Sequence, residues 1–167
     1  MPSDSSPSVF NADAFLSQTT DAAGSTQYYP VPKGEYQGQI LRVDSRRFEG
    51  KKNPGQWYTV LEIQWHVLGQ EAQRATETEQ PTARQTLFVD LTPSGGLDFG
   101  KNKNVQLSRL REALGQNKPG KKWGPTHLVG QTAPILIDHN VNEETGQPTA
   151  EVRRVGRPSG STTRSAA

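Results

Sequence analysis

WYTVLEIQWHVL, residues 57–68, is the stretch that decides the fold. Trp57, Leu61, Ile63, Trp65 and Val67 share one parity, and Tyr58, Glu62, Gln64 and His66 take the other. A period of two is the mark of a β-strand with one face on a core, and it assigns Trp57 to the core side. Just upstream, Asn53-Pro54-Gly55 is a turn signal, because proline fixes φ and glycine supplies a positive-φ position. It joins this strand to an earlier one over 34–48, in which Tyr36, Ile40 and Val43 carry the apolar signal. Leu41 breaks the alternation there and predicts a β-bulge. The two strands form an antiparallel hairpin with the tip RRFEGKKNPG, residues 46–55.

Downstream, residues 70–83 contain no large apolar side chain and read as a mobile loop. A third strand follows over 84–91, where Leu87, Val89 and Leu91 alternate with Phe88 and Asp90. Asn104 is placed to cap the one helix predicted, VQLSRLREAL. Leu107, Leu110 and Leu114 share a face of that helix, and Gly115 is placed to end it. Two last strands, 133–141 and 149–155, are joined by NEETGQP with Gly146 as the turn residue. The order β-β-β-α-β-β predicts an all-β fold with one helix, an OB-like five-stranded Greek-key barrel.

Composition sets the boundaries around this barrel. The chain has 167 residues, 31% hydrophobic, with 16 glycines and 12 prolines, which suits one small domain with a thin core and long loops. Residues 1–30, rich in Ser, Thr, Asp and Ala, read as a flexible arm in which Val9, Phe10, Phe15 and Leu16 form a short apolar cluster. Residues 31–156 form the domain, and 157–167 read as a disordered tail. The absence of cysteine excludes disulfides and thiolate metal sites. No apolar run reaches the roughly 18 residues of a membrane span, and MPSDSSPSVF lacks the regions of a secretory signal. A soluble protein with no membrane partner is expected. The net charge is +2, yet the first 32 residues carry Asp4, Asp13 and Asp21 and no Lys or Arg, so the surplus of cations lies in the body of the chain.

Gly95 to Lys101 matches GxxxxGK between a strand and a helix, a setting in which backbone amides cradle phosphate. The next residue, however, is Asn102 rather than the Ser or Thr that holds magnesium, and the chain lacks a βα alternation. The bland reading is a glycine-rich turn into the helix. His66, His127 and His139 form no metal-ligand spacing, and Asp138 beside His139 has no nucleophile in a catalytic setting. No catalytic residue, metal or cofactor is therefore expected, and the chain does not read as an enzyme.

The constellation with chemical meaning is basic and aromatic. Arg42, Arg46, Arg47, Phe48, Lys51, Lys52, Trp57 and Tyr58 crowd the first hairpin, whose tip flanks the oligonucleotide groove of an OB-fold. Bases stack on rings while cations track phosphates. Arg84, Phe88, Arg153 and Arg154 extend the set. The candidate nucleic-acid contacts are Arg46, Arg47, Lys51, Lys52, Arg84, Arg153 and Arg154 for phosphates, with Phe48, Tyr58 and Phe88 as rings. The plain alternative is a solvated hairpin tip. Lys118, Lys121, Lys122 and Trp123 make a similar, weaker cluster.

The succession FNADAF, PVPKGEYQGQILRVDSRRF, WYTVLEIQWHVLGQ, RQTLFVDL, LSRLREALG and LVGQTAPILIDHNVNEETGQP, spanning about residues 10–155, resembles a family of bacteriophage single-stranded DNA-binding and recombination-accessory proteins. The resemblance implies an OB-type fold, sequence-tolerant binding of single-stranded DNA in phage replication or recombination, and no cofactor or catalysis. It further implies the cytoplasm of an infected host cell, with phage replication or recombination proteins as partners and a homo-oligomer left open. Many replication single-strand binders end in an acidic recruiting tail, whereas this chain has no carboxylate side chain after Glu151, so recruitment by such a tail is not expected. The alternative class is a phage structural or protein-interaction module that binds no nucleic acid.

Overall fold

A computed structural model describes residues 10–156; the predicted 157–167 tail and the first nine residues of the arm lie outside it. Five strands, β1 (Gly34–Glu49), β2 (Trp57–Val67), β3 (Thr82–Val89), β4 (Thr132–Val141) and β5 (Pro148–Val155), close into a barrel in the order β1-β2-β3-β5-β4. The architecture is the OB-like all-β fold expected. The β1–β2, β2–β3, β4–β5 and β1–β4 pairs are antiparallel, and β3 meets β5 in parallel at one bridge, Arg84 to Glu151.

β1 serves both sides of the closure. Gly34 to Gln39 pair with β4, and Gly38 to Glu49 pair with β2. The register shifts between Ile40 and Arg42, so Leu41 is the predicted bulge, and the long strand bends there. Leu61, Ile63, Trp65 and Val67 of β2 are buried in the interior with Ile40, Leu87, Ile135, Ile137 and Val152.

Among the described residues three helices, α1 (Ala12–Leu16), α2 (Gln70–Thr76) and α3 (Val105–Ala113), complete the fold with a short 3-10 helix at Pro125–Leu128. α2 occupies part of the stretch predicted as a loop. Its single buried residue is Ala72, so no apolar period announces it; Gly69 at φ 109° turns the chain off β2, and left-handed Glu77 ends the helix. α3 lies where predicted and buries Leu107 and Leu110. Residues 26–31, where the arm passes into the domain, meet the β4–β5 hairpin. The Tyr28 N–H donates to Gln147 Oε1 at 2.6 Å, Gln147 Nε2 donates to the Thr26 carbonyl, and His139 Nε2 bonds the Val31 carbonyl at 2.7 Å.

Asn104 precedes α3, but its side chain does not cap the helix. The residue sits in the left-handed region at φ 50° and is 3% exposed. Its Oδ1 accepts the Asp90 N–H, its Nδ2 donates to the carbonyls of Asp90 and Asp98, and its own N–H donates to Asp90 Oδ2, each at 2.8 Å. The amide thus pins the loop between β3 and α3 at both ends.

Asn104→Ala leaves these buried groups unpaired and is expected to lower stability by roughly 2–4 kcal/mol, read as a reduced urea midpoint at unchanged slope. Asn104→Gly, which tolerates the positive φ, should lose nearly as much. A wild-type midpoint for the glycine variant would show that backbone strain, not the amide, matters there.

Candidate functional site

Alternation and register determine which hairpin side chains meet. Leu61, Ile63 and Trp65 point inward, so Tyr58, Val60, Glu62 and Gln64 point outward, joined by their partners Phe48, Arg46, Asp44 and Arg42 on β1. On β3 the outward set is Phe88, Thr86, Arg84 and Thr82. Phe48, Tyr58 and Phe88 converge on this outer face, with ring centroids 5.7 Å (Phe48–Tyr58), 5.9 Å (Tyr58–Phe88) and 6.2 Å (Phe48–Phe88) apart. Tyr58 meets Phe88 edge to face, and Phe88 is 57% exposed. Val60, cross-strand from both Arg46 and Phe88, is fully buried although it is not part of the interior core. The rings therefore make a small apolar platform outside the barrel. Gly50 permits it, because a Cβ there would lie 2.8 Å from the Tyr58 ring.

The remaining hairpin residues divide. Arg46 lies over the Phe48 ring, its guanidinium carbon 4.9 Å from the centroid, and its Nε pairs with Glu62 at 2.8 Å. Arg47 has the opposite parity and sits 5.6 Å from the Trp57 ring. Trp57, assigned to the core by its parity, is instead 53% exposed. Its partner is Glu49, beyond Thr59, the last β2 residue that pairs with β3, so the β3 wall has ended before it reaches the indole. Arg47 and Trp57 thus occupy the other face of the hairpin from the three rings. Lys51 and Lys52 are exposed at the tip, held in shape by Gln56 N–H to the Asn53 carbonyl and Gly55 N–H to Glu49 Oε1.

Away from the tip, the structure sorts the predicted phosphate contacts by pairing. Arg84 is exposed on the outer face of β3. Arg153 pairs with Asp138 at 2.9 Å and Arg154 with Glu35 at 3.1 Å. Arg47, Lys51, Lys52 and Arg84 make no ion pair among the described residues. The outer face also carries an Arg42–Asp44 pair at 2.7 Å, so its charges are mixed rather than uniformly basic.

The second cluster is structural at its aromatic end. Arg111 is 9% exposed and stacked between Trp123 at 4.3 Å and Phe99 at 5.0 Å, and burial pulls its guanidinium below the ordinary arginine range. Trp123 Nε1 donates to Gln116 Oε1, which anchors the lysine-bearing loop. In the GxxxxGK loop, the amides of Gly95, Gly96, Asp98 and Gly100 are taken by Thr92, Asp90 and Asp98, leaving these four bonded within the loop rather than open to a phosphate. Among the described residues no group of three His, Asp or Glu side chains is arranged to hold a metal, and no helix is long and apolar enough to cross a membrane. No protein-family model matches the chain, and no curated protein shows significant similarity to it.

Two checks follow from this geometry. Trp57→Phe should remove most of the iodide-quenchable tryptophan emission, since Trp65 is fully buried and Trp123 partly so; unchanged quenching would place Trp57 in the core after all. The Asp138 carboxyl is held below the usual range, chiefly because it accepts the His139 backbone N–H and then by Arg153 and Lys33. The unfolded chain therefore takes up this proton first. The stability Asp138 confers is present above its unfolded value of about 4 and disappears as pH falls from there through the depressed folded value. Asp138→Asn should flatten that part of a urea-midpoint profile against pH.

Proposed function

We propose that this protein binds single-stranded DNA, without reading its sequence, across the outer face of β1, β2 and β3. The observation that carries the reading is the Phe48–Tyr58–Phe88 platform beside a hairpin tip with unpaired cations. Phe48 and Tyr58 are half-buried against one another, but Phe88 stands 57% exposed on the barrel face, and the cluster offers π-surface to any base. Lys51, Lys52 and Arg84 flank the platform for phosphates. Arg46 contributes once a phosphate competes with Glu62, and Arg47 serves a strand that wraps the hairpin edge past Trp57. Arg153 and Arg154 stand farther off, beyond the β3–β5 seam. The resemblance to phage single-strand binders supplies the setting proposed here, DNA replication or recombination in the cytoplasm of an infected host cell.

A second reading, a protein-interaction module, draws on the arm. Phe10, Phe15 and Leu16 are 72%, 56% and 77% exposed, and Phe10 packs on Phe15 at 5.7 Å. A partner covering these side chains would account for them.

Fluorescence anisotropy of labelled oligo-dT and a matched duplex at two salt concentrations separates the readings. Preferential single-strand binding is expected, weakened about 10- to 100-fold by the double change Tyr58→Ala and Phe88→Ala, since stacking contributes about 1–3 kcal/mol per base. Changing Arg46, Arg47, Lys51 and Lys52 together to alanine should flatten the salt dependence, by about 0.7 in log–log slope for each phosphate contact removed. No binding at low salt overturns the proposal and leaves the interaction module.

A further inference from the structure

β3 and β5 touch at one bridge, Arg84 to Glu151, and separate beyond it. The opening between them is a cleft of about 370 Å³ bordered by α3. Four arginines border it, Arg84 from β3, Arg109 from α3, and Arg153 and Arg154 from β5; the last two carry their guanidinium groups away from the opening, toward Asp138 of β4 and Glu35 of β1. Glu151 is the one carboxylate on its wall, Gln85 and Gln106 add amides, Leu87, Leu110 and Val152 make its apolar floor, and no aromatic ring lines it. Arg109 is exposed and, like Arg84, makes no ion pair among the described residues. Arg153 and Arg154 are held by Asp138 and Glu35 in surface pairs, a kind that is weak and readily exchanged.

We propose that this cleft is a second anchoring point for the phosphates of the same DNA strand, with Arg109 as its central contact. The inference rests on the single-strand binding proposed for the outer face and extends it to a cleft whose unpaired cations are Arg84 and Arg109. Guanidinium forks match phosphate oxygens in twos, and a cleft without rings offers nothing to a base. Continuity is supplied by β3. Phe88, Thr86 and Arg84 follow one another along its outer face, so the platform and the mouth of the cleft are about 14 Å apart at about 3.4 Å per residue. A strand stacked on Phe88 reaches Arg84 within a few nucleotides and turns across the seam toward Arg109. Sequence reading places Arg84, Arg153 and Arg154 among the phosphate contacts but has no reason to add a residue from the exposed side of α3.

The test compares the full chain with Arg109→Gln and Arg109→Glu, using oligo-dT of about 3 and about 25 nucleotides, lengths on either side of the usual site of an OB-fold. Both variants should keep the wild-type thermal midpoint, because the side chain is exposed. The longer oligonucleotide should bind Arg109→Glu about 10-fold more weakly, with the salt slope reduced by about 0.7 in Arg109→Gln, while the shorter one binds both as wild type. Equal affinity and slope for the longer oligonucleotide would overturn the cleft, as would an equal loss for both lengths, which marks a diffuse charge effect. The Tyr58→Ala, Phe88→Ala double variant separates the two proposals: if it weakens both lengths while Arg109 changes nothing, the platform stands and the cleft falls. If wild type binds neither length, both fall.

Discussion

The structure turns on the placement of one indole. Trp65 is fully buried inside the barrel, and its Nε1 donates to Gln85 Oε1 at 2.9 Å, giving the one polar atom of the indole a partner. A ring of that size fits only because its neighbours are small. Ala83 is its cross-strand partner on β3, and a Cβ on Gly38 of β1 would lie 2.9 Å from the indole and 2.6 Å from Ile135. Gly38 is also where β1 passes from β4 to β2, and the Leu41 bulge follows just after Ile40, the residue paired with Trp65. Filling, bending and closure are thus one constraint seen from three strands. The same constraint fixes the outer face. A slip of one residue in β2 would bring Tyr58 inward and leave Trp65 in solvent, so burying Trp65 is what turns Tyr58 and Val60 out beneath Phe48 and Phe88.

That dependence explains what the sequence makes legible. The parity of β2 is strong because both its faces are defined, one by apolar side chains and the other by Glu62, Gln64 and His66, and the strand bounds follow within a few residues. Parity fails at Trp57 for a physical reason. It reports which way a side chain points, not whether anything lies there, and the β2–β3 ladder ends at Thr59, two pairs before the apolar pattern does. α2 is hidden because one alanine suffices to dock it. Asn104 is read as a cap from its position, whereas its amide reaches back to the strand that precedes the loop, a contact fourteen residues away that no local pattern encodes.

The candidate site divides along the same line. Phe48, Tyr58 and Phe88 are each recognisable in the sequence, Phe88 by its parity against Leu87 and Val89, but their convergence follows only from the β1–β2 and β2–β3 registers. Carboxylates are where the sequence misleads. Counting Lys and Arg gives a basic hairpin, while the fold brings Glu62 to Arg46, Asp44 to Arg42, Asp138 to Arg153 and Glu35 to Arg154.

Those pairs bear on how such a face can hold a strand. An exposed ion pair contributes only about 0–1 kcal/mol, so exchanging Glu62 for a phosphate at Arg46 costs little and also gains little. The outer face of β1 and β2, with its cations largely neutralised, therefore cannot draw much affinity from charge. Stacking, at about 1–3 kcal/mol per base, offers it more, and the platform has room for few bases. Binding that is both tight and tolerant of sequence then needs unneutralised cations at a distance from the rings, where they add counterion release without crowding the bases. Lys51 and Lys52 at the tip and Arg84 with Arg109 at the seam stand on two sides of the platform. Under the proposed single-strand binding, rings in the middle and free charge at the margins would divide the labour of holding a flexible polyanion without reading it.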